Sequence, residues 1–359
     1  MFKTYEKYIV KNFINKILTV SLVFFSLIII LSILEEISFF KNINVNFLTP
    51  YFLVLLSAPI TLFEIFPFIF LISTQFLFYD LFKKDEINLM KSNGLSNLKI
   101  IKILFLSSFL IGLLTVFFYY NAASKLKFFY TDIKNNFSND NRYFAAVTDS
   151  GLWLKDEIND NILIIKASNI ADDYLLDVII NEFDKEFKLL RTIESKKVNI
   201  KSKLWGISDP TINSENVSLK NVEQLSVITN FDKEKISSMF SNISTLNLLE
   251  LFDLKKDYEN LGYSSDEIEI HLMKLFSTPI LYAVLTILSS IIMFNFKKNK
   301  SLFFHIILGI FMSVLIYYMN FMFSSLGNNG KIPILASIFL PILFISLFAI
   351  IGLIRINET

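Results

Sequence analysis

The 359-residue chain has no cysteine and only two histidines, His271 and His305. The first absence excludes disulfides, thiolate metal sites and a cysteine nucleophile, and the second removes the ligands for a histidine-rich metal site. Charged residues are also few, at 19% of the chain, and 34 Lys plus Arg nearly cancel 33 Asp plus Glu. A net charge of +1 gives no chain-wide basic footprint, so nucleic acid is not an expected partner. Catalytic signatures are missing as well. Gly327-Asn328-Asn329-Gly330-Lys331-Ile332 lacks the spacing and the final Ser or Thr of a Walker phosphate loop, and neither a G-x-S-x-G elbow nor an H-E-x-x-H pair occurs. The expectation is a chain that is not an enzyme, holds no cofactor or metal, and does not hydrolyse ATP itself.

Apolar residues, by contrast, make up 53% of the chain and aromatics 15%, with a mean hydropathy of +0.52. A bilayer core about 30 Å thick needs about 20 apolar residues per helix. Residues 17–34, 103–122, 275–296, 301–323 and 332–354 meet or approach this. A sixth stretch, residues 47–79, is apolar apart from Glu64 but would be about 50 Å long as one helix. Pro59 is therefore expected to divide it into an interfacial piece, 47–58, and a span, 61–79. Glu64 is either a functional intramembrane charge or a side chain reaching the headgroup zone. A cleaved signal peptide is not expected, because the first apolar run is too long and Glu35-Glu36 stands where a small-residue cleavage site belongs.

Basic residues resist translocation. With the N-terminus inside, the inner flanks carry thirteen Lys or Arg, from Lys3 to Arg355, against Lys41 and Lys331 in the short outer loops. Six spans with both termini cytoplasmic follow. The expected division is 1–122 for the first three spans, 123–270 for an insert on the outer side, and 271–359 for the last three. The insert has 18 basic and 25 acidic residues, and its β-branched runs predict strands at 161–167, 176–183, 186–192, 196–201, 204–208, 217–222 and 226–228. Such spacing suits a sandwich, jelly roll or partly open barrel. Leu246, Leu249, Phe252 and Leu254 then turn helical, and residues 257–271 are expected to return to the membrane as a polar helix. Between spans two and three, residues 84–93 predict a short helix ended by Gly94 at its C-cap, with Ile87, Met90 and Lys91 near one face. Such a helix suits docking into a partner's groove; an amphipathic turn on the inner leaflet is the plainer alternative.

Several of these segments resemble the LptF/LptG family, the six-span permeases of the lipopolysaccharide exporter. Lys7-Tyr8-Ile9 with Lys11, Tyr51, the run Leu55-Leu56-Ser57-Ala58-Pro59 and Phe66-Pro67 are similar to its first two spans. Most specific is Glu86-Ile87-Asn88-Leu89-Met90-Lys91-Ser92-Asn93-Gly94, with the family's E-x-x-x-M-x-x-x-G spacing. Gly151-Leu152-Trp153-Leu154-Lys155-Asp156 and Lys203-Leu204-Trp205 resemble strands of the family's β domain, in the LptG-like half. Pro279 after Lys274, Gly309, Tyr317-Tyr318, Gly327 and Pro333 fit the last spans.

The resemblance implies an α-helical integral membrane protein of the bacterial inner membrane, with six transmembrane helices and an inserted all-β, jelly roll-like periplasmic domain. It implies the permease subunit of an ABC transporter that extracts lipopolysaccharide or a related glycolipid. The implied partners are a cytoplasmic LptB-like ATPase dimer that holds the ATP and Mg, a paralogous LptF-like permease, and an LptC/LptA-like periplasmic bridge with a jelly roll fold. Glu86 would pair with an arginine of the ATPase, with Leu89 and Met90 packing beside it. Spans one and five would line the lipid cavity. Some LptG-type proteins carry a lysine inside the first span, whereas residues 17–34 contain no base and Ser32 stands near that place, so Lys41 and Lys331 are the candidate headgroup contacts. Two rivals are a permease for another lipid-linked substrate such as a lipoprotein, and a membrane-anchored binding or scaffold protein with no need of the segment at 86–94.

The absence of native cysteine makes the orientation directly testable. Single cysteines at Lys84 and Arg355 should resist a membrane-impermeant thiol reagent added to intact spheroplasts, while one at Ser202 should react; reaction at Lys84 would invert the topology.

Overall fold

Long runs rich in Leu, Ile and Phe satisfy their backbone groups internally as helices, the arrangement that a hydrocarbon environment demands. In the computed structural model, six helices among the described residues are long and apolar enough to cross a membrane. The structure describes residues 3–41, 43, 45–135, 137, 152–158, 161–171, 173–214, 217–219, 224–233, 235–236, 242–260, 264–294 and 302–357. The helices are α1 Thr4–Phe40, α2 Thr49–Lys83, α3 Glu86–Ser92, α4 Asn97–Leu114, α5 Asn121–Asn135, α6 Leu248–Asn260, α7 Asp266–Phe294, α8 Leu302–Asn328 and α9 Ile334–Asn357. A π-helical turn, Thr115–Tyr120, joins α4 to α5, so the third spanning helix runs past residue 122 to Asn135. The chain divides into a membrane unit, residues 1–127 with 266–359, and a β unit, residues 128–265.

In the membrane unit α7 is the most enclosed span, with 67% of its apolar window buried against 17% for α1 and for α8. It packs on α2, α4, α8 and α9. Leu71, Leu285, Leu288, Ile316 and Ile345 form the core between these helices. Close approach of α4 to α7 depends on Gly112, where a Cβ would lie 2.7 Å from the Pro279 Cα. The hydroxyls of Ser108 and Thr286 hydrogen-bond at 2.8 Å along the same contact.

Pro59 does not break α2. Residues Thr49–Lys83 form one helix with Pro59 and Pro67 inside it. Hydroxyl groups bond the surrounding carbonyls: Ser57 donates to Val54 O at 3.3 Å, Thr61 to Ser57 O at 3.4 Å, and Tyr119 to Pro59 O at 3.0 Å. None of these acceptors is the Leu55 carbonyl that Pro59 leaves without its helix donor, and α2 runs on continuously past that lost bond.

Among the described residues the β unit holds nine antiparallel strands in one curled sheet: β1 Leu152–Ile158, β2 Asn161–Ala167, β3 Asn169–Ala171, β4 Tyr174–Phe183, β5 Leu189–Asn199, β6 Leu204–Ser208, β7 Thr211–Ser214, β8 Val217–Leu219 and β9 Gln224–Ile228. The main path is β1-β2-β4-β5-β6-β9, with β3 on β4, β7 on β5 and β8 on β7. β2 and β6 have the bounds expected from sequence. The two strands expected at 186–192 and 196–201 are instead the single β5, because its first half pairs with β7 and its second half with β6. Residues 184–188 form the preceding turn, in which Asp184 Oδ1 accepts the Glu186 and Lys188 N–H groups, both at 2.9 Å. The polar helix expected over 257–271 is also corrected: α6 ends at Asn260 and α7 starts at Asp266, with Asp266, Glu267 and Glu269 in the first turn that acidic residues favour.

The apolar face of the sheet buries Leu154, Ile165, Ile180, Ile193, Val198 and Trp205. Trp205 is fully enclosed and its indole N–H donates to Phe231 O at 2.8 Å. Asp156 is equally buried. Its carboxylate accepts the Asn230 backbone N–H at 2.8 Å, the Asn230 side-chain amide at 2.8 Å and the Glu157 N–H at 2.9 Å, tying β1 to the turn after β9.

Trp205→Ala should destabilise the β unit by about 3–5 kcal/mol, and Asp156→Ala by about 1–3 kcal/mol through the donors left unpaired. Gly112→Ala should cost the membrane unit about 1–3 kcal/mol. Thermal unfolding followed by circular dichroism and by tryptophan emission checks all three.

Candidate functional site

The short helix α3 leaves α2 through a two-residue turn. Asp85, in the left-handed region at φ 58°, precedes it, and the Asn88 side-chain amide donates to Asp85 Oδ1 at 2.6 Å. At the other end Gly94 has φ +81° and donates to Lys91 O at 2.9 Å, while Leu95 N–H donates to Met90 O at 3.0 Å. These two bonds form a Schellman cap, and the positive φ is why glycine suits the position. Ser96 then starts α4 as its N-cap. The first end of α3 is thus held by a side-chain bond and the second by backbone bonds.

Ile87 is the residue of α3 that is buried, at 2% exposure, and it anchors the helix inward. Leu89 is 60% exposed and presents an apolar surface to solvent. Glu86 meets α1: the Tyr8 hydroxyl lies 2.9 Å from both carboxylate oxygens and donates to them. Sequence reading placed Tyr8 in a motif but did not pair it with Glu86, because 78 positions separate them and only the fold joins them. Glu86, Leu89, Met90 and Gly94, the four residues singled out in the sequence, all line one open groove of about 690 Å³, together with Tyr8 and Lys99. A second tie fixes the same end of the unit, where the Lys16 ammonium bridges Asp80 of α2 at 2.5 Å.

This arrangement offers a carboxylate held by a hydroxyl beside apolar side chains, with Lys3 and Lys99 lining the same groove. Among the described residues no group of three or more His, Asp or Glu could hold a metal ion.

The other candidates lie apart from this groove. Lys41 caps the C-terminal end of α1, and Lys331 follows a second Schellman cap at the end of α8, where Gly330 has φ +65°; both lysines are exposed. Glu64 is exposed on α2 beside a small cavity of about 40 Å³ shared with Pro67, Ser313 and Tyr317. In the β unit Leu152 is buried, whereas Trp153 is 49% exposed with the Lys166 ammonium 5.1 Å from its ring centre. Gly151 lies outside the described residues.

The family model described as "Lipopolysaccharide export system permease LptF/LptG" matches residues 7–355, nearly the whole chain and both units. No curated protein matches the sequence.

Gly94→Ala should strain the cap by about 1 kcal/mol. Hydrogen exchange of the α3 amides should accelerate about fivefold, whereas Ser92→Ala should leave it within twofold.

Proposed function

We propose, since the chain belongs to the LptF/LptG family of lipopolysaccharide export permeases, that α3 is where a separate ATPase drives it. The orientation derived from basic flanks puts this end of the membrane unit in the cytoplasm, where ATP is held and hydrolysed by partner subunits. Glu86 receives an arginine of that partner, Leu89 enters an apolar recess, and Met90 packs beside it. Tyr8 supports this reading, because a carboxylate oriented by a hydroxyl on a neighbouring helix meets the guanidinium without first losing side-chain freedom.

Lipid passes along a cavity formed with a paralogous six-span chain. α1 and α8 supply this chain's wall, a reading supported by their apolar windows being only 17% buried. Leu22 and Leu31 on α1 and Phe311 and Tyr318 on α8 are more than half exposed. The β unit then hands the lipid to a periplasmic bridge by strand addition at a sheet edge. Trp153 and Trp205, in the motifs that resemble the LptG half, favour that role within the pair. The observation that carries the proposal is the family match over residues 7–355 together with the groove that gathers Glu86, Leu89 and Met90.

Affinity purification of the detergent-solubilised chain tests it. The wild type should bring down a Walker-motif ATPase and a paralogous six-span chain, and Glu86→Lys should lose the ATPase while retaining the paralogue. Tyr8→Phe should weaken ATPase retention about three- to tenfold through the lost charge-assisted hydrogen bond. Absence of any ATPase from the wild type in mild detergent would leave the docking role of α3 without support.

A further inference from the structure

A second groove, of about 750 Å³, opens at the same end of the membrane unit, between α1 and α4. Lys7 and Lys11 of α1 and Lys99 and Lys102 of α4 line its mouth, and all four are exposed. The acid among its lining residues is Glu6, whose carboxylate is turned back on its own helix and accepts the Lys3 backbone N–H at 2.8 Å. Lys16, one turn further along α1, lines neither mouth nor wall and is neutralised by Asp80.

Below the lysines the groove is mostly apolar. Ile14, Leu106, Leu110 and Leu114 form its walls; Asn15 adds one exposed amide beside Ile14, and the Ser107 hydroxyl donates within its own helix to Ile103 O at 2.8 Å, so it adds little polarity. From Lys102 to Leu114 the helix rises about 18 Å, close to the depth of one bilayer leaflet. A spanning helix from another protein would need an interface through both leaflets. A cationic mouth above an apolar slot of single-leaflet depth has the shape and charge of an anionic phospholipid.

We propose that this groove binds an anionic phospholipid of the leaflet at the N-terminal end of α1, its phosphate among Lys7, Lys11, Lys99 and Lys102 and an acyl chain along Leu106, Leu110 and Leu114. Naming that leaflet as cytoplasmic rests on the orientation proposed above. The ligand is a resident lipid, distinct from the transported glycolipid.

The test reconstitutes the full chain in vesicles containing spin-labelled phosphatidylglycerol or spin-labelled phosphatidylcholine and compares the motionally restricted fractions. The wild type should favour phosphatidylglycerol by about threefold or more. Combined Lys7→Gln, Lys11→Gln, Lys99→Gln and Lys102→Gln should abolish the preference, and combined Lys84→Gln and Lys91→Gln, outside the groove at the same end, should keep it. Leu106→Trp with Leu110→Trp fills the slot and leaves the lysines; it too should abolish the preference. A preference that survives the filled slot, or falls equally in the Lys84/Lys91 variant, overturns the proposal in favour of diffuse surface attraction. Equal restriction of both lipids by the wild type overturns it outright. Because the vesicles carry the lipid in both leaflets, these results do not depend on orientation, which thiol labelling of Lys99→Cys decides separately.

Discussion

Inside a bilayer no water is present to bond a polar group that the protein leaves unpaired, and each such group costs several times what it would at a wet surface. The membrane unit is arranged around that constraint. Many of its small polar residues turn onto nearby carbonyls or onto one another: Ser108 meets Thr286, Ser289 donates to Leu71 O at 2.7 Å, and the Gln75 amide nitrogen donates to His305 O at 2.9 Å. These bonds join α4 to α7, α7 to α2 and α2 to α8, so the same pairs that satisfy polar atoms also choose neighbours. With lipid tails as apolar as leucine, burial alone gives helices little reason to prefer each other over lipid, and such contacts, with close approaches like that at Gly112, set the packing.

An unbroken α2 has consequences for the groove at its end. Its 35 residues make a rod of about 52 Å, and α3 is attached by the two-residue turn at Lys84 and Asp85. Tyr8 and Lys16 tie α1 to α3 and to α2 on the same side. On the docking proposed above, a push on α3 acts on α1 and α2 together, and α1 is one of the two least covered spans. Motion at the partner is thereby delivered to a helix that packs on α2 and moves with it, while most of its apolar window stays uncovered.

How much of this was legible in the sequence differs between elements for physical reasons. Span number and the short helix ended by Gly94 are local properties, set by apolar length and by a positive φ that glycine accommodates, and both were readable. β2 and β6 were readable too, because turn residues flank compact β-branched runs. The length of β5 was not, since Glu194 and Ser195 look like a break between two short runs until β7 and β6 are seen to pair with its two halves. Nor was the continuity of α2: the propensity of Pro59 to break a helix is local, whereas the Tyr119 hydroxyl that bonds its carbonyl comes from 60 residues away. At the candidate site the pattern on α3 pointed to Glu86, Leu89 and Met90 as candidates, and the hydrogen bond from Tyr8 to Glu86 needed the fold.

The two grooves at this end are not independent, because Tyr5 and Lys99 line both. Lys99 is the first base of α4, beside the cap that ends α3. A phosphate held there by Lys99 and Lys102 would remove positive charge from the edge of the groove that contains Glu86. An arginine arriving at Glu86 would then meet less like-charge repulsion, and a lipid in one groove would favour docking in the other. With the lipid absent, the uncompensated Lys99 opposes the same arginine. The sign of this coupling follows from charge alone, and its reach is limited to about a Debye length, near 8 Å at physiological salt. By reciprocity, a docked partner would in turn tighten lipid binding by the same factor.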